Sequence, residues 1–189
     1  MNPREEKVGG ILLGLTAGDR IGGPIRMAVR LSESLADRGC FDIQDVMRRY
    51  LEWWNEGAFD TGPTTARVLM LIASGMSYRE ASLKAHQESR GFTAGCNPAH
   101  RASPLAMAAF LSDYELPEMA IQEASLTHWD PLAGDVSAAV VVLCRALILG
   151  INWAEALHLA GAGRMDQTRA ALESNLKEPF NRGGFAPDV

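Results

Sequence analysis

Disulfide chemistry, a surplus of positive charge and a bilayer-length apolar run are all missing from this 189-residue sequence. Its three cysteines, Cys40, Cys96 and Cys144, are odd in number, widely spaced and form no CxxC pair. That excludes a disulfide framework and a cysteine zinc site, and predicts a reducing, cytoplasmic setting. The formal net charge is −5, so the basic footprint of general nucleic-acid binding is lacking, although a local anion site stays open. The longest apolar run, 136–149, is interrupted by Arg145 and is shorter than the roughly 20 residues a bilayer needs. The N-terminus is charged and mixed, which predicts neither a signal peptide nor a membrane anchor. No sustained two-residue alternation of β-branched or aromatic residues occurs, so no sheet is predicted. GxSxG, HExxH and Walker-type motifs are also absent.

What is present is helical. Hydrophobic residues make up 47% and charged residues 22%, the composition of an ordinary globular protein. A chain of this length buries about two-thirds of its unfolded surface without a metal or disulfide. Apolar residues recur at helical spacing in Ile11, Leu12 and Leu15, then in Met27, Val29, Leu31 and Leu35. Val46, Tyr50, Trp53 and Trp54 mark a third helix, and Val68, Leu69, Leu71 and Ile72 a fourth. Further helices are predicted near 78–89, 104–112, 117–126 and 152–160. The stretch 131–150 is apolar almost all round, which predicts a central buried helix. The fold class is all-α, in one domain over 1–189.

Five prolines mark helix starts: Pro24, Pro63, Pro104, Pro117 and Pro131. Proline suits the first helical position because its missing N–H would be unpaired there anyway. Gly23, Gly62, Ser103, Leu116 and Asp130 are the expected caps, with Leu116 a poor one. Four of the starts follow polar loops: 18–23, Asp60-Thr61-Gly62, 95–101 and Thr127-His128-Trp129-Asp130. Helix N-termini carry free N–H groups and partial positive charge, which suits phosphates and carboxylates. Gathered at one end of a bundle, the loops would line a pocket; taken singly, each merely caps its own helix.

Asp19 and Asp60 are candidate Mg²⁺ ligands, with the Thr61 hydroxyl beside the second, since Mg²⁺ takes a few carboxylates and fills the rest with water. Both carboxylates can equally satisfy turn N–H groups. His128 is a candidate acid, base or ligand contact, or simply a satisfied turn residue. His100 and Arg101, beside Asn97, could grip a diphosphate, the arginine through its bidentate fork. His86 and His158 receive no role. One of Trp53 and Trp54 is expected in the core and the other beside the pocket. Arg48-Arg49 reads as a solvated face.

In this order, on a helical background, the four loops resemble the ADP-ribosylglycohydrolase family, which includes the crystallin J1-like proteins. Gly18-Asp19-Arg20-Ile21-Gly22-Gly23-Pro24-Ile25-Arg26 is similar to the family's Gly-Asp-Ala-Leu-Gly-Ala-Pro-x-Glu element. Ala58-Phe59-Asp60-Thr61 resembles its Thr-Asp-Asp-Thr metal motif. The segment from Asn97 to Leu105 resembles its Gly-Asn-x-x-x-x-Arg-x-x-Pro-Leu loop, and Thr127-His128 its Thr-His motif. The resemblance implies an orthogonal multi-helix bundle whose two magnesium ions help cleave ADP-ribose from a protein side chain.

The departures fall on that chemistry. Arg26 stands where the family has Glu, Phe59 where it has the first Asp and Ala58 where it has Thr. The last Gly-Asp-x-Asp-Thr element has no counterpart, and the chain reads as lacking its C-terminal helices, with Pro187 at the entry to another. Losing so many oxygen ligands should abolish tight binding of a hard cation. The expected function is therefore an ADP-ribosylglycohydrolase-like protein that hydrolyses, or at least binds, ADP-ribose linked to protein side chains. Its dimagnesium site is expected to be largely lost, leaving Asp60 and Thr61 as an incomplete remnant. The expected partner is ADP-ribose or an ADP-ribosylated protein, held by Asp19, Thr61, Asn97, His100 and Arg101. Two alternatives stand beside it: an inactive crystallin J1-like structural or regulatory protein that binds ADP-ribose, and a metal-independent hydrolase using Asp60 as base and His128 as acid.

Overall fold

The computed structural model describes residues 3–19 and 22–174, and the end of the chain with Pro187 lies outside the described residues. Within them every regular element is a helix: α1 (Pro3–Gly18), α2 (Gly23–Arg38), α3 (Ile43–Asn55), α4 (Pro63–Ala73), α5 (Tyr78–Glu88), α6 (Asn97–Arg101), α7 (Ser103–Met107), α8 (Leu116–Ser125), α9 (Pro131–Leu149), α10 (Trp153–Gly161) and α11 (Asp166–Glu173).

The apolar spacing accounts for the packing. On α2, Met27, Leu31 and Leu35 recur every fourth residue and are buried, whereas Val29, off that row, is exposed. They meet Val46, Tyr50 and Trp53 of α3, Leu105 of α7 and Val141 of α9 in one core cluster. The expected central helix is α9, packed against α6, α7, α8 and α10. It runs from Pro131 to Leu149, within one residue of the predicted 131–150. An 18-residue window has mean hydropathy 2.1, apolar enough by length and composition to cross a membrane, yet 67% of that window is buried inside the bundle. Gly134 faces α8, where an added Cβ would stand 3.4 Å from the Ile121 backbone, in van der Waals contact.

Arg145, the residue that interrupts the apolar run, is buried and serves a specific purpose. Its Nη2 donates to the carbonyls of Leu105, Ala108 and Leu111 at 3.5, 2.9 and 3.3 Å. Ala108 is extended, with φ −72 and ψ 92, so α7 stops at Met107 instead of running through the predicted 104–112. Carbonyls that a longer helix would have bonded internally are satisfied by a side chain from another helix. The other corrections are smaller. Pro24, Pro104 and Pro117 sit one residue inside their helices, so the caps are Gly22, Ala102 and Glu115, while Gly62 and Asp130 cap as expected. Arg48 is solvated as expected, but Arg49 is largely covered and paired with Asp45 and Asp37, both at 2.7 Å.

Candidate functional site

A cleft of about 660 Å³ opens where α4, α6 and α9 begin. One wall is the head of α4, residues 61–65, and the facing surfaces carry Asn97, His128, Asp130 and Phe92. Helix α4 starts at Pro63 behind Gly62, which has no side-chain cap, so among the described residues no side chain answers its first N–H groups. The start of α9 differs, because Asp130 Oδ1 accepts from Leu132 N at 2.9 Å. The head of α4 therefore turns partial positive charge toward the cleft.

The four polar loops do come together. Gly23 packs directly on the second loop: a Cβ built there would stand 1.9 Å from the Asp60 carbonyl oxygen. Asp60 itself has a left-handed backbone, φ 52. Asn97 Nδ2 donates to the Thr61 carbonyl at 3.4 Å, joining the third loop to the second. Asp19 Oδ2 accepts from Ile25 N at 2.9 Å. His100 feels the Asp19 charge, but burial outweighs it and lowers the imidazole pKa. Gly23→Ala is accordingly expected to separate the first two loops and cost about 1–3 kcal/mol or more, at roughly 2–4 °C of Tm per kcal/mol. A calorimetric scan matching wild type would refute the contact.

Among the residues singled out from the sequence, Thr61, Asn97 and His128 line the cleft, and Asp19, Asp60, His100 and Arg101 are not on its walls. Arg101 requires a correction. It has no solvent exposure, so it cannot grip a diphosphate directly. Its Nε donates to Glu123 Oε1 at 2.6 Å and its Nη1 to Asn97 Oδ1 at 2.8 Å. His128 requires another. Its Nδ1 pairs with Thr127 Oγ1 at 2.8 Å. Burial, reinforced by the Arg101 charge, pushes its pKa down to about 3. A neutral imidazole keeps a single N–H that is too weakly acidic to serve as a general acid near pH 7, which counts against the expected acid role. Trp53 is in the core as expected, but neither Trp53 nor Trp54 borders this cleft.

Some contributors were not legible in the sequence. Phe92 presents its ring to the cleft at 84% exposure. His86, given no role, holds the loop that carries it: His86 Nδ1 pairs with Thr93 Oγ1 at 2.6 Å, and that hydroxyl accepts from Asp130 N at 3.2 Å. The far wall comes from Met165 and Gln167, anchored where Met165 N donates to Asp135 Oδ2 at 2.9 Å.

An all-helical bundle with a cleft at the heads of its helices is the architecture the resemblance implied, and comparison with known proteins agrees. The family model for ADP-ribosylglycohydrolase matches residues 25–182, and the chain belongs to that family. A solved structure described as an ADP-ribosylglycohydrolase-related protein complex superposes with a TM-score of 0.76 at 26% identity, covering 100% of this chain and 74% of that one. No curated protein matches.

Members of this family use magnesium and act on ADP-ribose substrates. The described residues do not fit a pair of magnesium ions. None of them form a group of three or more His, Cys, Asp or Glu able to hold a metal. One oxygen of Asp19, Oδ2, already accepts from the Ile25 amide. Arg26 and Phe59, two of the departures, line a second cavity of about 350 Å³ together with Arg30 and Trp53. Guanidinium and aromatic carbon supply no hard oxygen donors for Mg²⁺.

Proposed function

We propose that this chain binds ADP-ribose, free or attached to a protein, in the cleft at the heads of α4, α6 and α9, without a dimagnesium centre. One observation carries the reading: the uncapped start of α4 and the exposed Phe92 ring face the same cleft. Free N–H groups at a helix start donate to a diphosphate, and an exposed ring stacks on a nucleobase. Thr61 and Asn97 supply polar contacts between them. Neutral His128 serves as a contact and not as an acid, so the base-and-acid route through Asp60 and His128 loses support. Binding, not hydrolysis, is the activity proposed.

Calorimetric titration with ADP-ribose tests this. Saturable binding is expected, with the same affinity in Mg²⁺ and in EDTA. Phe92→Ala is expected to raise Kd about tenfold, from a stacking contribution of about 1–3 kcal/mol. Magnesium-dependent binding would overturn the metal-free reading. No binding by a well-folded sample would favour a structural protein.

A further inference from the structure

Asn97 opens α6 on the cleft wall, and Arg101 follows one turn later in the core. The guanidinium makes three kinds of contact. Nη1 donates to Asn97 Oδ1 at 2.8 Å, Nε to Glu123 Oε1 at 2.6 Å, and Nη2 to the Glu123 carbonyl at 3.2 Å. It also lies over the Tyr50 ring, 5.2 Å from the centroid. The Tyr50 hydroxyl donates to the same Glu123 Oε1 at 2.6 Å. Tyr50, Arg101 and Glu123 have no solvent exposure, so none of them reaches a ligand.

A buried ion pair is a poor way to gain stability, since apolar residues of similar volume often serve as well or better. Apolar residues could not hold the Asn97 amide. Helix α6 has five residues, too few to keep its own geometry. Once Oδ1 is taken by Arg101, the amide presents Nδ2 toward the Thr61 carbonyl, 3.4 Å away, at the cleft wall. With Oδ1 bonded to Arg101 and one Nδ2 hydrogen bonded to Thr61, the second N–H of the amide is the donor left for the cleft.

We infer that Tyr50, Glu123 and Arg101 are positioning residues for Asn97, setting its amide as a donor to an acceptor oxygen of the ligand, a phosphate or hydroxyl oxygen. The inference rests on the binding role proposed for the cleft. It assigns ligand recognition to side chains that never touch the ligand.

A double-mutant cycle on ADP-ribose affinity tests it, using Arg101→Lys, Asn97→Ala and the pair. Lysine keeps the charge but loses the fork that serves Asn97 and Glu123 together. Arg101→Lys alone is expected to raise Kd roughly tenfold, as for loss of a charge-assisted hydrogen bond. In the Asn97→Ala background it should add almost nothing. Equal effects in both backgrounds would overturn the inference, because a general loosening of the fold does not depend on residue 97.

A second measurement needs no ligand. In ¹⁵N spectra of the free protein, the side-chain amide pair of Asn97, assigned by its absence from Asn97→Ala, should shift in Tyr50→Phe and in Arg101→Lys. Tyr50→Phe removes only a hydroxyl and keeps the experiment interpretable if Arg101→Lys does not fold. Unchanged Asn97 resonances would overturn the positioning role. Wild-type protein that fails to bind ADP-ribose at millimolar concentration would defeat the binding proposal, and the spectra would still decide this one.

Discussion

Replacing Glu123 by alanine is expected to destabilise the fold by about 3–5 kcal/mol, because it strips the carboxylate from a buried guanidinium. Arg101 would lose its 2.6 Å partner, and the Tyr50 hydroxyl would lose its acceptor. In the wild type burial first, and then the Glu123 charge, hold the Tyr50 phenol well above the usual value, and the burial remains when Glu123 is removed. Removing both charges is a different experiment. Arg101→Met with Glu123→Met leaves no orphaned ion, and is expected to recover most of the loss. Urea unfolding of the two variants beside wild type separates these outcomes. A Glu123→Ala protein within 1 kcal/mol of wild type would show that the pair contributes nothing.

The same triad shows where reading the chain stops. Prolines were informative because their effect is local. Pro24, Pro63, Pro104, Pro117 and Pro131 each fall within the first two positions of a helix. The apolar rows on α2 and α3 and the continuous run in α9 were legible for a similar reason: spacing alone decides which face is buried. Elements set by distant partners were not legible. Helix α6 reads as a turn, because five residues carry no periodicity. Helix α11 begins without a side-chain cap at Met165 and buries only Thr168. The end of α7 is set by Arg145, between 34 and 40 residues away.

In the cleft, residue type was legible and burial was not. Asn97, Thr61 and His128 stood out as polar residues at helix starts, and they line the cleft. Arg101 stood out for the same reason, yet it is in the core. Its environment is decided by Glu123, 22 residues on, and Tyr50, itself separated from Glu123 by 73. Phe92 was invisible because a lone aromatic in a loop has no pattern to betray it. Two positions that differ from the family pattern, Arg26 and Phe59, line one cavity. The sequence comparison identified each change but not that they are neighbours.

Acid should unfold this protein more readily than its composition suggests, and His128 is the reason. In the unfolded chain its imidazole takes a proton near pH 6.5, whereas in the fold it does so only near 3. Between those values the unfolded state binds more protons, so stability falls as pH falls. The slope approaches 1.4 kcal/mol per pH unit across the middle of that window. Against a typical total of 5–15 kcal/mol, this is a large share. His100, also lowered by burial, adds in the same direction. Asp45 acts below this window. Burial would raise its pKa, but hydrogen bonds from Arg48 and Arg49 hold the carboxyl well below the usual value. Its contribution is present above about pH 4 and is lost in stronger acid. Urea unfolding of wild type and His128→Gln from pH 7 to 4 distinguishes the groups. The glutamine variant keeps a neutral polar group beside Thr127 but cannot charge, so its curve should be flatter between pH 6.5 and 4. Parallel curves would mean that His128 protonates normally in the fold, and would restore it as a possible acid for the cleft.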